Sequence, residues 1–179
     1  MDIGIISVRY ARALLKSALE QKLDEQVYQE MQLLAKCFVE VPELRRTIDN
    51  PMLSKDTKGQ LLQTAIGGKK ASSLSQAFVV LVLKENREDM IQFIANSYVT
   101  LYRQQKNIIR GKLTTAVAVS PATEQKMRQM VESKTKGTVE FETEVNPDII
   151  GGFILEYDTF RMDASVKSKL NNILNTLKR

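Results

Sequence analysis

The chain contains no histidine, no tryptophan and one cysteine, Cys37, among its 179 residues. Histidine is the usual general base near neutral pH and the commonest metal ligand. Without it, Ser-His-Asp and Cys-His catalysis and most zinc chemistry are excluded. A lone cysteine forms no internal disulfide, which fits a reducing compartment. Cys37 sits among Leu33, Leu34, Phe38 and Val41 and reads as a small buried hydrophobe. Long apolar runs are missing too. The longest, Phe78 to Leu83, is FVVLVL, far short of the ~20 residues that cross a bilayer. The opening MDIGIISVRYARALL lacks the basic start and small-residue cleavage site of a signal peptide, so an unprocessed, soluble chain is expected.

Charge of one sign is not concentrated anywhere. Residues 1–105 hold 14 Lys and Arg against 12 Asp and Glu, and residues 106–179 hold 12 against 9. A nucleic-acid binder gathers its cations on one face or tail. Here the densest spots are the pairs Arg45-Arg46 and Lys69-Lys70, read as solvated surface.

What is present is helical periodicity. Ile6, Tyr10, Ala13, Leu14 and Ala18 recur at spacings of three and four, with Ser7 placed to cap the first helix. Leu23, Val27, Met31, Leu34, Phe38 and Val41 mark a second helix, interrupted by Pro42. A short helix follows from Glu43 to Asp49, then an Asn50-Pro51 turn. Ser54 caps a fourth helix, which carries Leu61, Leu62, Ala65 and Ile66 and stops at Gly67-Gly68. Leu74 to about Asn86 is apolar on nearly every side, the mark of a helix covered by its own bundle or by a partner. The sixth begins near Glu88, with Ile91, Ile94, Tyr98 and Leu101 on one face.

Near Asn107 the period changes. Leu113, Val117 and Val119 alternate as in a half-buried strand, and Pro121 opens a helix to about Lys134. In TVEFETEV, Val139, Phe141, Thr143 and Val145 face one way and Glu140, Glu142 and Glu144 the other. A turn at Asn146-Pro147-Asp148 precedes a strand from Gly152 to Tyr157, with Asp158 in the turn after it. A last helix carries Val166, Leu170, Ile173, Leu174 and Leu177. The fold class is therefore α+β. A six-helix bundle over residues 1–106 is followed by a small α/β domain over 107–179, ordered strand–helix–strand–strand–helix.

Three features invite a chemical reading. Gly151-Gly152 resembles a ligand loop, but a phosphate cradle precedes a helix and a strand follows here, so the pair is read as structural. The three glutamates oppose the apolar face of their strand and read as solvated acids. Asp163, two residues before Ser165 and Val166, is read as the cap of the last helix. No active site, cofactor, metal or small-molecule substrate is expected.

Several stretches resemble one family, in order along the chain. RYARALLKSALE carries its Tyr-Ala-x-Ala-Leu opening, NPMLSKDTK its Asn-Pro turn and capped helix, and FVVLVLKENRED resembles its Phe-x-x-Leu stretch that ends in Asn-Arg. Val145, Pro147, Ile150, Gly151 and Gly152 resemble its Val-x-Pro-x-x-x-Gly-Gly, and Asp163, Ser165, Val166 and Leu170 its Asp-x-Ser-Val-x-x-x-Leu. The family is the delta subunit of bacterial F-type ATP synthases, with the mitochondrial oligomycin-sensitivity-conferring protein. The resemblance implies a non-catalytic stator component of a rotary proton- or sodium-translocating synthase. It implies that the helical domain receives an N-terminal helix of an alpha subunit, in a groove between the first and fifth helices. Tyr10, Ala13, Leu14, Phe78, Val79 and Val82 are the residues expected to form that groove. The α/β domain would engage the b subunits of the peripheral stalk through the last helix and the segment from Gly151 to Tyr157. Gly151, Gly152, Asp163 and Ser165 are expected to be structural. The implied location is the cytoplasmic face of the bacterial inner membrane, reached only through the complex. The alternative, an RNA-binding module of the translation or transcription machinery, predicts a clustered basic face that the even charge distribution does not supply.

Overall fold

The computed structural model describes residues 3–135, 137–157 and 159–177. The chain divides into two compact units, Met1–Gln104 and Gln105–Arg179.

The first unit is helical. Its helices are α1 (Ile3–Gln21), α2 (Asp24–Glu40), α3 (Pro42–Ile48), α4 (Lys55–Ala65), α5 (Ser73–Lys84) and α6 (Ile91–Lys106). Short 3-10 turns occupy Gly68–Lys70 and Glu88–Met90. Pro42 does not merely end α2; it opens α3 at a position where its missing N–H costs nothing. Ser54 caps α4, its hydroxyl accepting from the Thr57 N–H at 3.2 Å. Beyond α4 the chain turns away at Gly67, whose φ of 114° is open to glycine and strained for other residues. Ser7 is not a cap. It lies inside α1 and donates to the Gly4 carbonyl, because the helix starts a turn earlier than the apolar pattern does. The core is filled by fully buried Val27, Met31 and Leu34 from α2, Val79 and Val82 from α5, and Ile94 and Tyr98 from α6.

Two buried polar ties cross this core. Glu30 of α2 accepts from the Ser72 N–H at 2.6 Å and from the Ser72 hydroxyl at 2.7 Å. That hydroxyl in turn accepts from the Ser75 N–H and caps α5. A carboxylate is thereby held where the α5 dipole favours negative charge. The second tie is an ion pair. Lys58 of α4, 5% exposed, reaches Glu88 ahead of α6 at 2.9 Å. Burial works to raise the Glu88 pKa, but the Lys58 hydrogen bond and charge prevail and lower it.

The second unit is a mixed four-stranded sheet of order β2-β1-β3-β4, with helices α7 (Pro121–Thr135) and α8 (Val166–Leu177). Its strands are β1 (Ile108–Thr115), β2 (Thr138–Val145), β3 (Phe153–Tyr157) and β4 (Phe160–Asp163). β1 runs parallel to β2 across the α7 crossover and antiparallel to β3. The small core is Leu113, Val131, Val139 and Leu155. Two differences from the sequence reading stand out. β1 begins at Ile108 and ends before Val117 and Val119, which lie in the segment leading to α7. The stretch around TFRM supplies a fourth strand, pairing Tyr157 with Phe160 and Ile154 with Asp163. Asp158 lies outside the described residues.

The opposite face of the sheet is charged in alternating columns. In register across four strands stand Glu142, Lys112, Glu156 and Arg161. Arg110 pairs with Glu142, Lys112 with Glu144 at 2.6 Å, and Arg161 with Glu156 at 3.3 Å. These pairings lower the Glu142 pKa and raise that of Lys112. Glu142 and Glu144 are thus matched to cations on the neighbouring strand rather than gathered at a site.

The Lys58–Glu88 tie yields a stability prediction. Lys58→Met should destabilise the protein by about 3 kcal/mol, because the Glu88 carboxylate loses its partner while remaining inside. The double replacement Lys58→Met with Glu88→Leu should recover most of that loss. Urea unfolding followed by circular dichroism measures both, and equal losses in the two variants would remove the ion pair as the cause.

Candidate functional site

α1 and α5 both present residues at i, i+3, i+4 and i+7 to one furrow. From α1 come Tyr10, Ala13, Leu14 and Ser17, and from α5 come Leu74, Ala77, Phe78 and Leu81. Arg9 lies at the edge. The identical spacing is that of one helix face. The cavity measures about 390 Å³. Leu14 and Phe78 are buried and form the floor, with Tyr10 packed edge-on to Phe78 at 6.5 Å. Each wall contributes one alanine, Ala13 and Ala77, where a visiting backbone can come close. Leu81 is 46% exposed, a large side chain with nothing over it among the described residues.

Of the six residues that the sequence assigns to this furrow, Tyr10, Ala13, Leu14 and Phe78 line it. Val79 and Val82 do not; both are fully buried on the other face of α5. Their places on the wall belong to Leu74, Ala77 and Leu81. The signal for that division was weak, since α5 is apolar on both faces. Ser75 misleads, since it is polar and yet fully buried on the inward side.

In the second unit, α8 is amphipathic but has no buried residue. Leu170, Ile173, Leu174 and Leu177 are all exposed along it. A separate hollow of about 420 Å³ lies between the β1–α7 segment and the turn before β3, bordered by Val117, Val119, Met127, Ile150 and Gly151. Ile150 is 62% exposed and has φ 68°, ψ −41°. A β-branched residue there is strained.

The glycines beside it answer a structural need. The lead-in to α8 crosses directly over them: the Val166 N–H donates to the Gly151 carbonyl and the Ala164 N–H to that of Phe153, each at 2.9 Å. A Cβ on Gly152 would stand 2.3 Å from the Ala164 carbonyl oxygen, and the residue has φ 76°. Gly151-Gly152 is therefore a crossing point of two backbone segments.

Asp163 is one step removed from the role read from sequence. The capping side chain is Ser165, whose hydroxyl accepts from the Ser168 N–H at 3.2 Å. Asp163 holds that cap in place, accepting from the Ser165 N–H at 2.9 Å and the Ser168 hydroxyl at 2.8 Å. These hydrogen bonds draw its pKa down from 3.8 to about 2, with a smaller contribution from Arg161. Among the described residues no group of three or more possible metal ligands comes together, and no helix is long and apolar enough to cross a membrane.

The depressed Asp163 pKa fixes a pH dependence. Its contribution to the start of α8 is present above the unfolded value near 3.8 and is lost as pH falls through about 2. Amide exchange at Ser165 and Ser168 should therefore accelerate, relative to its intrinsic rate, between pH 4 and pH 2. In Asp163→Asn that step should be missing; its persistence would assign the effect to another group.

Comparison with known proteins agrees with this architecture. Residues 6–177 match the family described as ATP synthase delta (OSCP) subunit. The ATP synthase subunit delta of Phocaeicola vulgatus is 47% identical over 173 residues, covering 97% of this chain and 94% of that one. That of Parabacteroides distasonis is 42% identical, covering 97% and 96%. Among solved structures, a chain of the Toxoplasma gondii mitochondrial ATP synthase hexamer superposes with a TM-score of 0.65 at 20% identity, over 97% of both chains, and so shares the fold. With the family matched over nearly all its length and relatives above 40% identity, the chain belongs to the ATP synthase delta (OSCP) subunit family.

Proposed function

We propose that the furrow between α1 and α5 receives the N-terminal segment of an alpha subunit as an added amphipathic helix, and that the second unit grips the b subunits of the peripheral stalk. The broader role follows from family membership. The chain is a non-catalytic stator subunit of a rotary ATP synthase, linking the catalytic head to the peripheral stalk. Its work is mechanical: the head must not turn with the rotor, so its attachments must outlast each cycle of torque. On this reading the protein sits at the cytoplasmic face of the bacterial inner membrane, held there through the complex.

The observation that carries the docking assignment is the open furrow itself. Helix-in-groove binding lays the apolar i, i+3, i+4 and i+7 face of a guest helix into an apolar channel. The α1 and α5 faces supply one from both walls. An affinity near 1 nM requires about −12 kcal/mol. One short helix reaches that only with well-packed anchors, and a second attachment elsewhere on the chain multiplies the hold by ~10²–10⁴ where the geometry allows both. For the stalk side, the support is the bare stripe of α8 together with the hollow edged by Ile150, apolar surfaces that the second unit leaves uncovered.

Two measurements test these assignments. Ala13→Trp places an indole in the furrow from an exposed position and should leave the fold intact. Calorimetry with a synthetic alpha N-terminal peptide should then show about 100-fold weaker binding, close to 3 kcal/mol. Unchanged binding would mean that the furrow is not the docking site. Ile150→Gly relieves backbone strain worth ~1 kcal/mol or more. The variant should melt at a higher temperature yet bind the b subunits less well. A rise in both stability and stalk affinity would show that the Ile150 side chain takes no part in the contact.

A further inference from the structure

The floor of the furrow is apolar, but its borders are not neutral. α1 carries Arg9, Arg12 and Lys16 against a single carboxylate, Glu20; α5 carries Lys84 and no acid. Arg9 lines the cavity. Steps of three and four residues lead from it to Arg12 and Lys16 along one edge of α1, with Glu20 a further turn on. All three cations are exposed, and none has an ion-pair partner among the described residues. Some cations elsewhere are matched: Lys58, Arg110, Lys112 and Arg161 each have a carboxylate within ion-pair distance.

We propose that this unmatched cationic edge selects the guest by charge, so that the furrow takes an amphipathic helix whose apolar stripe is flanked on the α1 side by carboxylates. The inference rests on the docking assignment above and adds what the guest must carry and which way it must lie. A helix has a fixed hand. If its acids lie on one flank of the stripe, they face α1 in only one of the two end-to-end polarities. Reversing the guest puts those acids over α5, where only Lys84 stands near the helix end. Rim charges of this kind act chiefly on encounter rate and orientation, and salt screens them. The buried anchors supply the grip, and the edge sets the direction.

The test uses the full chain and two synthetic peptides of about 20 residues, long enough for a stable helix. Both carry the same Leu, Ile and Ala stripe. One has glutamates along the flank and the other lysines at the same positions. At about 0.02 M salt the acidic peptide should bind roughly tenfold tighter, and at about 0.5 M the difference should shrink to roughly twofold. Arg9→Glu combined with Lys16→Glu should reverse the preference. Should circular dichroism show that pair unfolded, Arg9→Gln alone should narrow the gap. Equal binding of the two peptides at low salt overturns charge selection and leaves docking intact. A preference that survives both the added salt and the substitutions also overturns it. Failure of both peptides to bind overturns charge selection and docking together.

Discussion

The bundle turns on the bond between Glu30 and Ser72. One carboxylate on α2 takes up the backbone and side chain of the residue that caps α5, and so fixes where α5 begins. The groove wall starts two residues later, at Leu74. A buried carboxylate is costly unless every oxygen finds a donor, and both Glu30 oxygens do. Because this tie and the packing of Val79 and Val82 hold α5 from within, the other side of the helix is left bare without the helix coming loose. The same division of labour recurs in the second unit. Ser165, Asp163 and the Gly151-Gly152 crossing fix the start of α8 by hydrogen bonds and backbone contact, and its apolar stripe stays outside.

Most of the architecture was legible because the apolar period is a direct record of what must be buried. The six helices, the Ser54 cap, the glycine stop after α4 and the alternation of TVEFETEV follow from spacing alone. β4 was not visible. It has four residues, Phe160 to Asp163, all of them exposed, so it leaves no alternating imprint of burial. The early start of β1 was hidden for a related reason: Gly111 stands between Ile109 and Leu113 on the core face and has no side chain to mark the alternation.

The binding surface was legible as a place and not as a residue set. Apolarity all round α5 implies two apolar contacts, but sequence does not say which face meets the core. Val79 and Val82 went inward and Ala77 and Leu81 outward, and residues of such similar character give no warning of it. On α1 the division is clearer because Arg9, Arg12 and Lys16 mark the wet edge. At the last helix, Asp163 was assigned the part that Ser165 plays. Either side chain can satisfy a free N–H at a helix start, and only the backbone path decides which one is in reach.

The alternating columns on the outer face of the sheet bear on a different matter. β2 is a border strand of eight residues, long enough to recruit an extended segment from another molecule. Glu142 and Glu144 are matched by Arg110 and Lys112 on the strand within, whereas a second β2 laid alongside in register would set carboxylate against carboxylate. The charge pattern of the sheet margin thus opposes in-register pairing of β2 with a copy of itself, though pairs this exposed add little to the stability of the fold.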